Sequence, residues 1–241
     1  MGGDEAISGV GSTEPSRSGG AGFAGAGSGI RAVIFDLWET LIDWNHDANA
    51  LMHARVQERV GFDFHERWNR AAERYTVPVR DVLTGVGVPA DAMDDVLSYR
   101  AEFVRTCLVP REGAVETLEE LRARGLKVGL ITVCTEDVEM LWPESEFAGL
   151  FDAEIFSNAI GLSKPDPRIY LACCEQLGVD PHDAMFVGDG ANDELGGARR
   201  VGLLPVLIHQ PGHDPVWSEV RTWDGLRVTS IPEVLEVLER C

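Results

Sequence analysis

Six short runs of β-branched and aromatic residues recur along this chain, and helical patterns separate most of them; that alternation restricts the fold more than any other feature. The runs are "RAVIFDLW" from Arg31, "LKVGLITVC" from Leu126, "AEIFSN" from Ala153, "AMFVGDG" from Ala184, "LLPVLI" from Leu203 and "LRVTS" from Leu226. Consecutive apolar positions over so short a length describe strands buried on both faces. Between them, "EGAVETLEELRARG", "PDPRIYLACCEQLG" and "NDELGGARRVG" repeat apolar residues at helical spacing, and each stops at a glycine, a common helix end. Strands alternating with helices of this length predict an α/β protein with a parallel sheet covered on both sides. In such sheets ligands bind beyond the carboxyl ends of the strands.

The alternation lapses between about Trp44 and Pro110. Here "DANALMHARVQERVG", "DFHERWNRAAERY" and "PADAMDDVLSYRAEFVRTCLV" read as helices only, inserted directly after the first strand, where they would form a lid over its carboxyl end. The stretch holds eight arginines and no lysine. Some could face a substrate, but for any single one a solvated or acid-paired role is the stronger expectation.

The chain has 241 residues, 44% of them hydrophobic, which is enough for a sizeable core. Its formal charge of −19 disfavours nucleic acid and anionic membrane as partners, and leaves a small anionic substrate only where local cations or a metal reverse the field. The five cysteines form no CxxC pair and no zinc-type spacing, so a reducing, cytoplasmic setting is expected. Cys173 and Cys174 fall in an apolar helical pattern and read as buried small hydrophobes. Residues 1–30 carry ten of the 26 glycines and few large apolar side chains, and read as a flexible tail rather than a signal peptide. The expected organisation is therefore a tail over 1–30, an α/β core over 31–43 and 111–241, and a helical insert over 44–110.

The strand ends carry the chemistry. Asp36 closes a buried strand, where a carboxylate costs desolvation unless something compensates. Thr132 closes "VGLIT"; Lys164, one of only two lysines, sits in "GLSKPDP"; "VGDGAND" sets Asp189 and Asp193 four apart after another buried strand. Each has a bland explanation on its own: a turn-capping aspartate, a solvated lysine, a helix N-cap. What is specific is the order of acid, hydroxyl, lysine and acid pair, each at a strand end.

This set resembles the haloacid dehalogenase superfamily, over roughly Arg31 to the C terminus. The resemblance implies a Rossmann-like core with a small α-helical cap, Asp36 as nucleophile, Thr132 and Lys164 as catalytic partners, and metal binding by Asp189 and Asp193. Mg²⁺ suits such an all-oxygen site, with the Asp36 carboxylate and the main-chain carbonyl of Trp38 as further ligands. The implied activity is a Mg²⁺-dependent phosphohydrolase that passes a small phosphorylated metabolite through an aspartyl-phosphate.

One position departs from the pattern. Phosphatases of the family usually carry a second aspartate two residues after the first, to protonate the leaving alcohol; here that residue is Trp38, which cannot titrate. General acid–base catalysis is worth about 10²–10⁴ in rate. Three chemistries therefore stay open: hydrolysis of phosphates whose leaving group needs no proton, carbon–halogen hydrolysis (the family's dehalogenases carry an aromatic residue here), and ligand binding with weak catalysis or none. Glu39 stands where glycine is common, with its carboxylate directed either to solvent or to the site. Val133 stands where a polar residue is frequent, and Trp142 reads as a core or interface residue. "GVGVPAD" and "GDGAND" supply neither GxGxxG nor GxxxxGK[ST] at a strand-to-helix turn, against a nucleotide-loop reading. Neither the substrate nor the oligomeric state is written in a motif.

Overall fold

The computed structural model describes residues 29–209 and 218–240; the N-terminal segment read as a tail lies almost wholly outside them. The first strand, β1 (Ala32–Phe35), is buried at all four positions. The helical stretch follows as α1 (His46–Val60), α2 (Phe64–Arg70), α3 (Val79–Gly85) and α4 (Met93–Cys107). The alternation then resumes: α5 (Ala114–Ala123), β2 (Lys127–Thr132), α6 (Glu136–Leu141), β3 (Ala153–Phe156), α7 (Ser157–Ile160) and α8 (Pro167–Leu177). It ends with β4 (Ala184–Gly188), α9 (Glu194–Val201), β5 (Leu204–Ile208), α10 (Ser218–Arg221), β6 (Leu226–Val228) and α11 (Glu233–Leu238).

All six strands are parallel and lie in the order β3-β2-β1-β4-β5-β6. β1 is therefore central, and its side chains alternate between two cores. Val33 and Phe35 join α5, α6 and α11 in one; Ala32 and Ile34 join α8 and α9 in the other. The first core runs on without a break into α1 to α4, through Met52, Val56, Phe64, Trp68 and Phe103. The α/β class with a parallel sheet is as expected from the alternation, and the Rossmann-like core is as the resemblance implies.

Local rules account for the helical boundaries. Asn45 caps α1 by accepting from the Ala48 amide (2.9 Å), Gly61 ends it at φ 74°, and Asp63 caps α2 through the Glu66 amide (3.0 Å). "DFHERWNRAAERY" is not one helix as its periodicity predicts. Ala71 leaves the helical region at ψ 84°, and a 3₁₀ turn over Ala72–Tyr75 follows. The Arg74 guanidinium takes the carbonyls of Asn69 (3.2 Å) and Ala71 (2.8 Å) that a continuous helix would have used. Among the described residues no helix is long and apolar enough to cross a membrane.

Candidate active site

The site forms where β1, β2 and β4 end. The Asp36 amide donates to Val187 O (2.9 Å), which carries the β1–β4 pairing one residue past β1 and fixes the carboxylate at the sheet edge. The side chain is buried; Oδ2 accepts from Thr40 Oγ1 (3.2 Å) and Oδ1 from Lys164 Nζ (2.5 Å). Lys164 also donates to Glu194 Oε2 at 2.5 Å. Burial alone would lower the lysine's pKa, but the Asp36 and Glu194 carboxylates outweigh it and hold it above the usual lysine value.

Asp189 follows β4 and accepts the Ala191 amide at Oδ1 (3.0 Å). Burial, then the nearby Asp36 charge, push its carboxyl up to about 6. Carboxylate oxygens of Asp36, Asp189 and Glu194 lie within 4.8 Å of one another. Asp193, expected in this group, is elsewhere: its side chain is half exposed and pairs with Arg200 Nη1 (2.8 Å). Asn192 and Asp193 both adopt positive φ (51° and 58°), and this left-handed pair turns Asp193 outward and brings the next residue inward. Glu194 therefore occupies the place given to Asp193. Its Oε1 accepts the Gly190 amide (3.0 Å), and a Cβ at Gly188 would sit 2.1 Å from that oxygen, so glycine is required there. Burial pushes the Glu194 carboxyl up while Lys164 pulls it down. The family resemblance pointed to Asp193, four residues after Asp189, and nothing in the sequence singled out Glu194.

Three carboxylates share one lysine here, two of them fully buried, so the cluster holds more negative than positive charge away from water. An all-oxygen donor set with surplus negative charge fits a hard divalent cation. Thr132 ends β2 wholly buried, and its hydroxyl has no hydrogen-bond partner among the described residues.

Glu39 is not directed at Asp36; its side chain stays partly exposed while two neighbours hold it. Its Oε1 accepts the Trp44 amide (2.7 Å) and Oε2 the Arg111 guanidinium (3.0 Å), which also holds Asp43 (2.6 Å) and the Glu39 carbonyl (2.5 Å). These bonds offset a left-handed φ of 55° at Glu39, a strain of about 1–3 kcal/mol without glycine.

A cavity of about 610 Å³ opens above the cluster, between the strand ends and helices α1 and α4. Trp38 is on its wall, its ring 4.9 Å from Trp44, which in turn meets Phe103 edge-on at 5.3 Å. Of the eight arginines in the helical stretch only Arg100 lines this cavity. It is buried, packs 3.9 Å over the Trp68 ring, and pairs with Asp137 (2.7 Å) and Thr135 (3.1 Å). Trp142 is a core residue, stacked on Phe147 with its Nε1 donating to Glu154 (2.8 Å).

A family model described as haloacid dehalogenase-like hydrolase matches residues 30–202. The chain is 30% identical to phosphoglycolate phosphatase 1 of Pseudomonas aeruginosa over 82% of its own length and 77% of that protein. It is 34% identical to (S)-2-haloacid dehalogenase 4A of Burkholderia cepacia, over 44% of this chain and less than half, 46%, of the relative. The crystal structure of a HAD phosphatase from Thermococcus onnurineus superposes with a TM-score of 0.68 at 21% identity, over 87% of this chain and 98% of that one, which shows the shared fold.

Proposed function

Because the chain belongs to the haloacid dehalogenase-like hydrolases, we propose that this hydrolase is a Mg²⁺-dependent phosphatase of small phosphorylated metabolites, with Asp36 as its nucleophile. One observation carries the reading: Lys164 bridges Asp36 and Glu194 while Asp189 stands beside them. Dehalogenation needs no metal, and a surplus of buried carboxylate around its nucleophile would only oppose an anionic haloacid.

Asp36, Asp189 and Glu194 would hold the ion, with the Trp38 carbonyl added by family resemblance. Mg²⁺ supplies charge neutralisation, without which a carboxylate does not approach an anionic phosphoryl group. Lys164 holds the Asp36 carboxylate in position through its hydrogen bond to Oδ1. An Asp36 carboxylate oxygen forms a bond to phosphorus as the bond to the leaving oxygen breaks, and the departing group takes the electron pair as an oxyanion, because Trp38 has no proton to give. Water then attacks the aspartyl-phosphate, releasing phosphate and restoring Asp36. The helices over residues 44–110 act in this reading as a cap that selects the substrate, and the residues on either side form the catalytic core. The free, buried cysteines 107, 134, 173 and 174 favour a reducing, cytoplasmic setting.

The test is phosphate release from phosphate esters with Mg²⁺ or with EDTA, alongside Asp36→Asn. We expect release that needs the metal and falls at least about 10³-fold in Asp36→Asn. Chloride release from 2-chloropropionate without metal, and no phosphate release, would instead favour the chemistry named in the Burkholderia relative.

A further inference from the structure

The cavity wall specifies the organic part of the substrate. Every described lining residue that is cationic at neutral pH is already matched: Lys164 by Asp36 and Glu194, Arg111 by Glu39 and Asp43, Arg100 by Asp137. A second anionic group on the substrate would find no arginine or lysine without a carboxylate partner among them, although Arg100 Nε makes no hydrogen bond, and would share the space with Glu39, Asp189 and Glu194. A carboxylate or second phosphate is thus disfavoured. The rest of the wall is mixed: His46, Asn49, Thr135, Asn192 and His209 give it polar groups, while Trp38, Trp44 and Phe103 form one apolar run of touching rings that Met52, Val104 and Val138 extend.

The position that usually donates a proton belongs to this same run. Trp38 gives the leaving oxygen no acid and presents a flat apolar face instead. Glu39 cannot replace it, since both of its oxygens are engaged. A phenol, with a pKa near the tyrosine value of about 10, leaves as its anion far more readily than an alkyl alcohol. Its ring also suits an aromatic wall.

Resting on the phosphatase reading above, we infer that the substrate is an aryl phosphate monoester: one phosphoryl group on an otherwise uncharged aromatic ring system that packs against Trp38, Trp44 and Phe103. The missing acid and the aromatic wall are then one adaptation to one class of leaving group.

The test compares kcat/KM of the Mg²⁺-loaded protein for 1-naphthyl phosphate, phenyl phosphate, acetyl phosphate and phosphoglycolate. The two aryl esters have similar leaving-group acidity, so their ratio reports packing. We expect naphthyl to exceed phenyl about tenfold and phosphoglycolate to be the poorest. Trp44→Ala should lower the naphthyl-to-phenyl ratio about tenfold, and Trp44→Phe should restore most of it. If Trp44→Ala does not fold, Phe103→Leu tests the same wall through the same ratio. Metal- and Asp36-dependent release that favours phosphoglycolate or acetyl phosphate over both aryl esters overturns this inference and leaves the phosphatase reading standing. An unchanged ratio in the variants overturns the wall's role. No release from any of the four overturns both.

Discussion

Asp193 and Glu194 are adjacent acids with opposite surroundings, one half exposed beside Arg200 and the other fully buried beside Lys164. Their substitution should separate them. Glu194→Gln is expected to weaken Mg²⁺ binding at least tenfold by titration calorimetry, whereas Asp193→Asn should stay within about twofold, as expected for an exposed pair. Trp38→Asp restores a proton donor, so turnover of alkyl phosphates should rise, by up to about 10²-fold in kcat, while aryl esters gain much less. Asp36 and Asp189 were legible in the sequence because each directly follows a buried strand, where a charged group needs a reason; Lys164, which lies beyond α7, was legible as one of only two lysines. Glu194 was not, because its inward turn depends on two left-handed residues whose backbone angles no residue type announces. The tie between Glu39 and Arg111 was hidden for another reason: it joins positions 72 residues apart.

At the level of elements, α4 and α6 are joined by the buried pair of Arg100 and Asp137. Removing one partner strands a buried charge. Arg100→Leu alone should cost about 3–5 kcal/mol in urea unfolding, and the double variant Arg100→Leu/Asp137→Leu should recover much of that loss. α1 and α2 meet at His53, whose ring lies 4.6 Å from His65 and 5.5 Å from Phe64. Burial, followed by the charges of His65 and Arg100, lowers its pKa from 6.5 to about 4. Between those values the unfolded chain binds a proton that the folded protein refuses, so this group's contribution to stability falls as pH drops from 6.5 towards 4. Urea midpoints measured from pH 7 to 4 should decline less steeply in His53→Leu than in the parent protein. A strand buried on both faces leaves an unbroken apolar run, which made β1 and β4 readable; β6, exposed at Leu226 and Arg227, has no such run. The helical stretch was readable in outline only: the break at Ala71 arises from Arg74 capturing backbone carbonyls, and α3 is too short to show a period.

Across the whole molecule, 40 acidic residues against 21 basic ones make self-repulsion a general term. Raising NaCl from about 0.02 M to 0.5 M shortens the Debye length severalfold, and the thermal midpoint should rise by a few degrees; an unchanged or falling midpoint would show that the paired arginines outweigh the net charge. A different global property follows from how the helical stretch is attached. Ile42 bridges Pro110 antiparallel, the Arg111 amide donates to Leu41 O (2.8 Å), and the Arg111 side chain holds Glu39 and Asp43. In polymer terms the sheet has tied off a long loop at its neck. Once the neck is closed, loop-closure entropy grows only with the logarithm of length, about 0.6 kcal/mol for each doubling. The helices beyond the knot can thus gain, lose or exchange residues over evolutionary time at little entropic cost to the strands beneath, so long as Arg111 keeps both ends of the loop in its grip.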